Sequence, residues 1–214
     1  MLRDDVFAAV ADDRVVFLDL TRDQYFALGA AASARFAHWP LDERCAGELN
    51  AILMRRGLCA LPSGDGAHDP LSQVAHAPAQ TTIKIAPRPA VLSAPAVSLA
   101  RARARRDLAR SPLAAVVAAR RQRRQEWAGR GDRETATRAA ATFASLRPLT
   151  RKNGSCLLEA LSLLNFLGKA GADADWVFAV RGEPFEAHCW VQLETIVLND
   201  SVEGVAGYTP IMVV

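Results

Sequence analysis

The sequence predicts an α+β protein: a small N-terminal block of strands and helices, then a larger C-terminal block in which helices precede antiparallel strands. Apolar residues alternate at period two near both ends of the chain, and helical periodicity fills the segments between them. Six prolines interrupt the pattern from residue 61 to 100. We therefore expect three regions: 1–60, a linker at 61–100, and 101–214.

The first block begins with a predicted β-hairpin. "RVVFLDL" (14–20) and "QYFAL" (24–28) flank the polar break "TRD", which has hairpin-loop length. Helix-favouring residues follow Gly29 until Pro40. The next helix, "LDERCAGELNAILMRRG", places apolar residues on one face before Gly57 ends it, namely Leu41, Cys45, Leu49, Ile52 and Leu53.

The linker prediction rests on proline, which interrupts both helices and central strands. Its prolines lie at 62, 70, 78, 87, 89 and 95, among Ala, Ser and Gly. Neither a helix nor a central strand is expected to persist there. Within this region, "TTIKIA" (81–86) is the candidate strand.

The C-terminal block opens with Ala and Arg, both strong helix formers. Gly129 and Gly131 separate two helices that precede Cys156. A third helix starts at Cys156 and ends at Gly168 or Gly171. Period two then predicts strands at 175–182, 186–194 and 195–200.

Charge is unevenly distributed along the chain, although the net charge is only +3. Residues 1–50 hold five Arg against nine acids, and residues 101–133 hold eleven Arg against three. No run of about 18 apolar residues predicts a membrane span, and the acidic N-terminus is unlike a signal peptide. Four scattered cysteines favour reduced thiols. We expect a cytoplasmic protein.

Cys156 lies at the start of an apolar helix, behind Gly154 and Ser155. Unpaired N–H groups and the helix dipole at this end lower a thiol pKa. The Cys156 backbone N–H is also a candidate oxyanion donor. Burial is the alternative role, because cysteine is among the most buried residue types.

A histidine and an aspartate downstream favour a reactive role. Side-chain alternation places His188, Trp190 and Gln192 on one strand face and Cys189 on the other. A turn near Glu194 makes the next strand antiparallel, which brings Asp200 opposite the region of His188. A carboxylate can then orient an imidazole against the Cys156 thiolate.

These segments resemble the transglutaminase-like peptidase domain of lasso-peptide biosynthesis B proteins over residues 110–214. The matching stretches are "GSCLLEALSLLNFL", "FEAHCWVQLE" and "TIVLND". The resemblance implies a papain-like fold with Cys156 as nucleophile, His188 as base and acid, and Asp200 as orienting carboxylate. Cys189 stands where that family usually has Ala, and the acidic-Gly turn is replaced by "QLETIV". Asn153, directly before the helix, is a candidate second oxyanion donor.

The first block resembles the PqqD-like leader-recognition element, a winged-helix-like fold of about three strands and three helices. That resemblance implies a precursor leader peptide added as a strand to a sheet edge beside the third helix. Its candidate contacts are Phe17, Leu18 and Asp19 on the edge strand, with Leu49, Leu53 and Arg56 on the helix. Core packing of Leu49 and Leu53, and a solvated Arg56, are the alternatives. The family also implies a separate ATP-dependent lasso cyclase as partner.

Other functions remain open from sequence alone. An acyltransferase or transglutaminase-type enzyme shares the acyl-thioenzyme intermediate, and a leader-binding scaffold needs no reactive cysteine. The Arg-rich helices suggest nucleic acid, but the acidic first block disfavours phosphate binding. No phosphate-binding glycine loop or metal-ligand spacing occurs, so neither cofactor nor metal is expected.

Overall fold

Strands come first in the chain, helices follow, and strands return at the C-terminal end. The structure is a computed structural model that describes residues 2–36, 43–59, 76–84, 91–127, 133–150 and 155–214. The predicted α+β class is confirmed. The chain divides into two compact units: the first comprises Met1–Ala75, Ala179–Ala187 and Tyr208–Met212, the second His76–Phe178, His188–Gly207 and Val213–Val214.

The N-terminal sheet has three antiparallel strands, β1 (Val6–Ala11), β2 (Arg14–Asp19) and β3 (Gln24–Ala27). Asp12 and Asp13 form the β1–β2 turn with φ of 46° and 59°, a left-handed backbone that matches hairpin twist. The predicted β2–β3 hairpin is confirmed.

The strand order of this sheet is β1-β2-β3. The prediction that Phe17, Leu18 and Asp19 lie on an edge strand is therefore wrong. These residues belong to the central strand, which β1 pairs on one side and β3 on the other. The sequence pattern around the β2–β3 turn predicts that these two strands pair. It does not show whether a further strand pairs with the other edge of β2, so it cannot distinguish an edge strand from a central one.

Two helices follow, α1 (Ala30–Phe36) and α2 (Glu43–Arg55). Buried side chains of both helices share one apolar cluster with the sheet, including Phe17, Phe36, Leu49 and Leu53. Leu49 and Leu53 are 2% and 1% exposed. Their helical spacing thus marks the buried face of α2, and the alternative that Leu49 and Leu53 are core residues is confirmed.

Four longer helices form most of the second unit: α3 (Ala94–Arg110), α4 (Leu113–Trp127), α5 (Arg133–Thr150) and α6 (Cys156–Lys169). α3 begins inside the expected linker, so the prediction of no helix is wrong for residues 94–100. Pro95 lies in the first turn, where the missing N–H has no helical acceptor in any case.

Between residue 91 and Cys156, the described part of the chain contains three α-helices, α3, α4 and α5, not the two predicted. Ser111 is extended, with φ −130° and ψ 140°, as residues before proline prefer, and this break separates α3 from α4. In the described part of the chain, none of the helices has the length and apolar character of a membrane span.

The C-terminal sheet has the order β4-β7-β6-β5-β8. Its strands are β4 (Thr81–Thr82), β5 (Asp175–Arg181), β6 (Glu186–Leu193), β7 (Ile196–Val197) and β8 (Thr209–Val213), and a short helix α7 (Val202–Val205) precedes β8. β4 confirms part of the expected "TTIKIA" strand by pairing parallel to β7. β7 is shorter than predicted, because residues 198–200 leave the strand conformation.

Candidate active site

The N-terminus of α6 positions Cys156 as the first helical residue. Ser155 precedes it with an extended backbone, and the Ser155 hydroxyl accepts a hydrogen bond from Leu158 N at 3.3 Å. This cap satisfies one of the free N–H groups of the first turn and fixes where the helix begins. The Cys156 side chain is partly exposed and free of any disulfide.

A buried ion pair holds the same helix turn against α3. Arg101 Nη1 lies 2.6 Å from Glu159 Oε1, and the two side chains are only 7% and 6% exposed. Glu159 follows Cys156 by three residues, so it lies on the neighbouring position of one helix face. The pair thus fixes the turn that carries the thiol.

Strand β6 carries His188 on the face that alternation predicts. The His188 ring lies 5.9 Å from the Trp190 ring, centroid to centroid. The Trp190 indole N–H donates to Gln192 Oε1 at 2.9 Å, and Gln192 itself is fully buried. These three side chains form a continuous row that leaves His188 partly exposed at its end.

Asp200 lies beside His188, as the sequence predicts. His188 Nε2 and Asp200 Oδ2 are 2.6 Å apart. The other carboxylate oxygen accepts the Ser201 backbone N–H at 2.8 Å. A Cβ on Gly204 would come within 2.5 Å of that oxygen, so a residue without a side chain is needed there.

The surroundings of Cys156 favour its thiolate. Hydrogen bonds from the Cys189 side chain, from His188 and from the Cys189 backbone, with the positive charge of His188, lower the pKa of the Cys156 thiol to about 4, against the opposing effect of burial. A thiolate is the nucleophilic form of cysteine.

The same contacts favour the charged form of His188. Its hydrogen bonds to Asp200 and then to Cys156 raise the imidazole pKa to about 9, despite partial burial. Because Asp200 engages Nε2, Nδ1 is the nitrogen left for Cys156. The two groups therefore form a thiolate–imidazolium pair across neutral pH.

Cys189 is the site residue that sequence reasoning missed. It is 3% exposed and hydrogen-bonds to Cys156, and that contact together with burial raises its own pKa well above the ordinary thiol value. Cys156 hydrogen-bonds to both Cys189 and His188, although these are successive residues of β6. The only sequence signal was the departure from alanine at this position.

The remaining predicted site residues do not join this cluster. Asn153 and Gly154 lie outside the described residues. In the N-terminal block, Phe17, Leu18 and Asp19 are at most 3% exposed, and Leu49 and Leu53 are core residues.

Arg56 differs from these buried candidates. Its guanidinium lies 4.5 Å from the centre of the Phe26 ring on β3, so it stands beside the outer strand of the sheet. The described residues contain no group of three or more His, Cys, Asp or Glu side chains that could hold a metal ion.

The arrangement can perform acyl transfer. It provides a thiolate, an adjacent proton donor and a carboxylate that fixes the imidazole, in the geometry of cysteine-based acyl enzymes. No curated protein and no solved structure matches the chain. A family model described as the transglutaminase-like superfamily matches residues 96–213, more than half of the chain. This segment contains Cys156, His188 and Asp200, and the chain belongs to the transglutaminase-like superfamily.

Proposed function

We propose that the protein is a cysteine peptidase that hydrolyses the leader–core bond of a ribosomally made precursor, in the manner of lasso-peptide biosynthesis B proteins. The observation that best supports this proposal is the Cys156–His188 pair. The pKa of the Cys156 thiol is lowered and that of the His188 imidazole is raised, so the pair is a thiolate and an imidazolium. His188 Nε2 lies 2.6 Å from Asp200 Oδ2. Membership of the transglutaminase-like superfamily supports chemistry through an acyl-thioenzyme.

The reaction proceeds in two steps. Cys156 Sγ attacks the carbonyl carbon at the leader–core junction, and His188 gives its proton to the departing amine of the core. The leader remains bound to Cys156 as a thioester. Neutral His188 then takes a proton from water, the hydroxide attacks the thioester, and the thiolate leaves as the leader carboxylic acid forms.

Backbone N–H groups at the start of α6 stabilise the oxyanion in this proposal. The Cys156 N–H is the first candidate, because the initial N–H groups of a helix have no intrahelical acceptor. Asn153 remains the proposed second donor from sequence.

The outer edge of β3 is the place where a leader strand would add. Within the described part of the chain, β3 pairs only with β2, which leaves one edge for β-augmentation. Arg56, stacked on Phe26, stands beside that strand and is the one predicted contact that is not buried in the core. The leader site thus shifts from β2 to β3 and Arg56.

The freed core amine needs a further enzyme. A lasso peptide forms when that amine condenses with a side-chain carboxylate, a step that needs an activated acid. The proposal therefore includes a separate ATP-dependent lasso cyclase as partner. It also includes a cytoplasmic location, where ATP is available to that partner.

Intact-mass analysis of a cognate precursor incubated with the protein tests this function. We expect one cleavage, lost in Cys156→Ala and retained in Cys59→Ala, which removes a free thiol elsewhere. If an added amine appears on the leader in place of water, the protein is an acyltransferase. If Cys156→Ala cuts equally well, or if the unmodified protein binds but never cuts with the cyclase present, the peptidase proposal is wrong.

A further inference from the structure

A concave site lies between α3, α4 and the C-terminal half of α6, with a volume of about 660 Å³. That volume is within the range of ligand pockets. Neither Cys156 nor His188 lines it. We call it the basic groove, since its charged lining consists of five cations against two acids: Arg103, Arg106, Arg120, Arg123 and Lys169, with Asp107 and Asp173.

The two acids do not neutralise the groove. Asp173 accepts a hydrogen bond from Arg120 Nη2, and Asp107 lies 3.3 Å from Arg106. Among the described residues, no carboxylate lies within ion-pair distance of Arg103 or Lys169. The groove therefore presents an excess of positive charge to a ligand.

Arg120 is a buried cation held in the wall of the groove. The residue is 9% exposed, and its Nη2 donates to the Ala174 carbonyl at 2.8 Å as well as to Asp173. The exposed cations Arg103, Arg123 and Lys169 are therefore the ones that a ligand can reach.

The groove is also apolar in part. Val116, Leu161 and Leu164 contribute to its lining. Leu99, 44% exposed, precedes Arg103 by one helical turn on the same face of α3. Apolar and cationic positions thus lie side by side in the groove and, at Leu99, beside it.

We propose that the basic groove docks an acidic, leucine-bearing peptide segment of a partner protein. Carboxylates of that segment would bind the arginines, and its apolar side chains would cover the groove floor. A free inorganic anion would leave the apolar floor uncovered. A nucleic acid would bring a continuous phosphate backbone but no aliphatic side chains for the apolar floor. This inference is independent of the proposed peptidase activity.

Fluorescence anisotropy tests the proposal with a labelled synthetic peptide in which Glu and Leu recur at helical spacing. We expect saturable binding to the full chain and binding at least about tenfold weaker in Arg103→Glu/Lys169→Glu, because charge-assisted contacts are lost. The matched control is Arg105→Glu/Arg110→Glu, which makes the same change in net charge on α3 outside the groove lining. Its affinity is expected to stay within about twofold of the unmodified protein.

Competition experiments complete the test. Unlabelled peptide should displace the probe, whereas inorganic phosphate, duplex DNA or a version with Ser in place of Leu should not. Absence of saturable binding, equal weakening by both double variants, or equal displacement by phosphate or DNA would overturn the proposal. Circular dichroism of each variant verifies that the fold is retained.

Discussion

At the residue scale, the reactivity of Cys156 depends on neighbours that come from a different element. The thiol sits on a helix, and its hydrogen-bond donors, Cys189 and His188, are successive residues of β6. With the Cys156 pKa near 4 and the His188 pKa near 9, both groups are charged between those values. Activity should therefore fall as the pH drops below about 4, where the thiolate is protonated, and as it rises above about 9, where His188 loses its proton.

Replacing Cys189 tests the contribution of its thiol. Cys189→Ala removes the largest of the hydrogen bonds that lower the Cys156 pKa, and one such bond contributes on the order of one pKa unit. The pH midpoint of iodoacetamide labelling at Cys156, located by peptide mass spectrometry, should rise by that amount. Cys189→Ser keeps a donor and should stay near the original midpoint. An unchanged midpoint in Cys189→Ala would show that Cys189 only fills space.

The placement of the three candidate side chains was predictable because it follows from local rules. Helix capping places Cys156 at the start of α6, and strand alternation places His188 on its face of β6. The antiparallel turn after β6 returns the chain towards His188, although β7 ends at Val197 before Asp200. The Cys156–Cys189 contact was not predictable, since it depends on how α6 packs against the sheet. That packing is set by side chains distant in sequence from either cysteine.

At the scale of elements, the position of Cys156 depends on how α6 is packed. It is buried along most of its length, and α3 packs beside it through a face of mainly small buried residues, including Val97, Ala100 and Ala104. Into this contact the chain places the Arg101–Glu159 pair. A buried pair is costly to desolvate and costlier to break.

Breaking that pair should destabilise the protein strongly. Glu159→Gln leaves the Arg101 charge buried without its counter-charge, which we expect to cost about 3–5 kcal/mol. Arg101→Met/Glu159→Leu removes both charges at similar volume and should recover most of the loss. Urea denaturation of the three variants measures these free energies. A loss below about 1 kcal/mol in Glu159→Gln, as for an exposed pair, would contradict a structural role.

Element types were predictable from periodicity, whereas several boundaries and partners were not. Pro95 lies in the first turn of α3, and from sequence a proline at that position is not distinguishable from one in a linker. The sequence also does not distinguish the edge strand from the central strand of the N-terminal sheet, because β2 and β3 form one hairpin whichever of them β1 pairs with. No pattern predicted β8, since the sequence after Asp200 contains only one short apolar run.

At the scale of the whole molecule, each compact unit is assembled from segments far apart in the sequence. The first unit combines the N-terminal sheet with residues 179–187, the tip of the β5–β6 hairpin. Asp12 accepts the backbone N–H of Gly182 at 3.0 Å, and Arg14 lies 2.6 Å from Glu183. The residue pattern of each segment predicts whether it forms a strand or a helix. It does not predict which segments pack together, because that depends on contacts between residues far apart in the sequence.

Gly182 tests that assembly. A Cβ at this position would lie 2.2 Å from the Ala11 carbonyl oxygen, so Gly182→Ala forces backbone to move and should cost about 1–3 kcal/mol. Gly168→Ala is the matched control, because nothing lies within 4 Å of its added Cβ and alanine favours a helix. Urea denaturation should rank Gly182→Ala below and Gly168→Ala at or above the unmodified protein. Equal stability of all three would mean that the two backbones do not pack as described.

Trapping the thioester on Cys156 tests the covalent mechanism most directly. The protein and its precursor are mixed, the reaction is quenched in acid within the first turnover, and the intact mass of the protein is measured by mass spectrometry. We predict a transient mass increase equal to the acyl leader, mapped to the peptide containing Cys156 and absent from Cys156→Ala. Cleavage that proceeds with no such adduct, at any quench time and with hydrolysis slowed by low temperature, would contradict a covalent mechanism at Cys156.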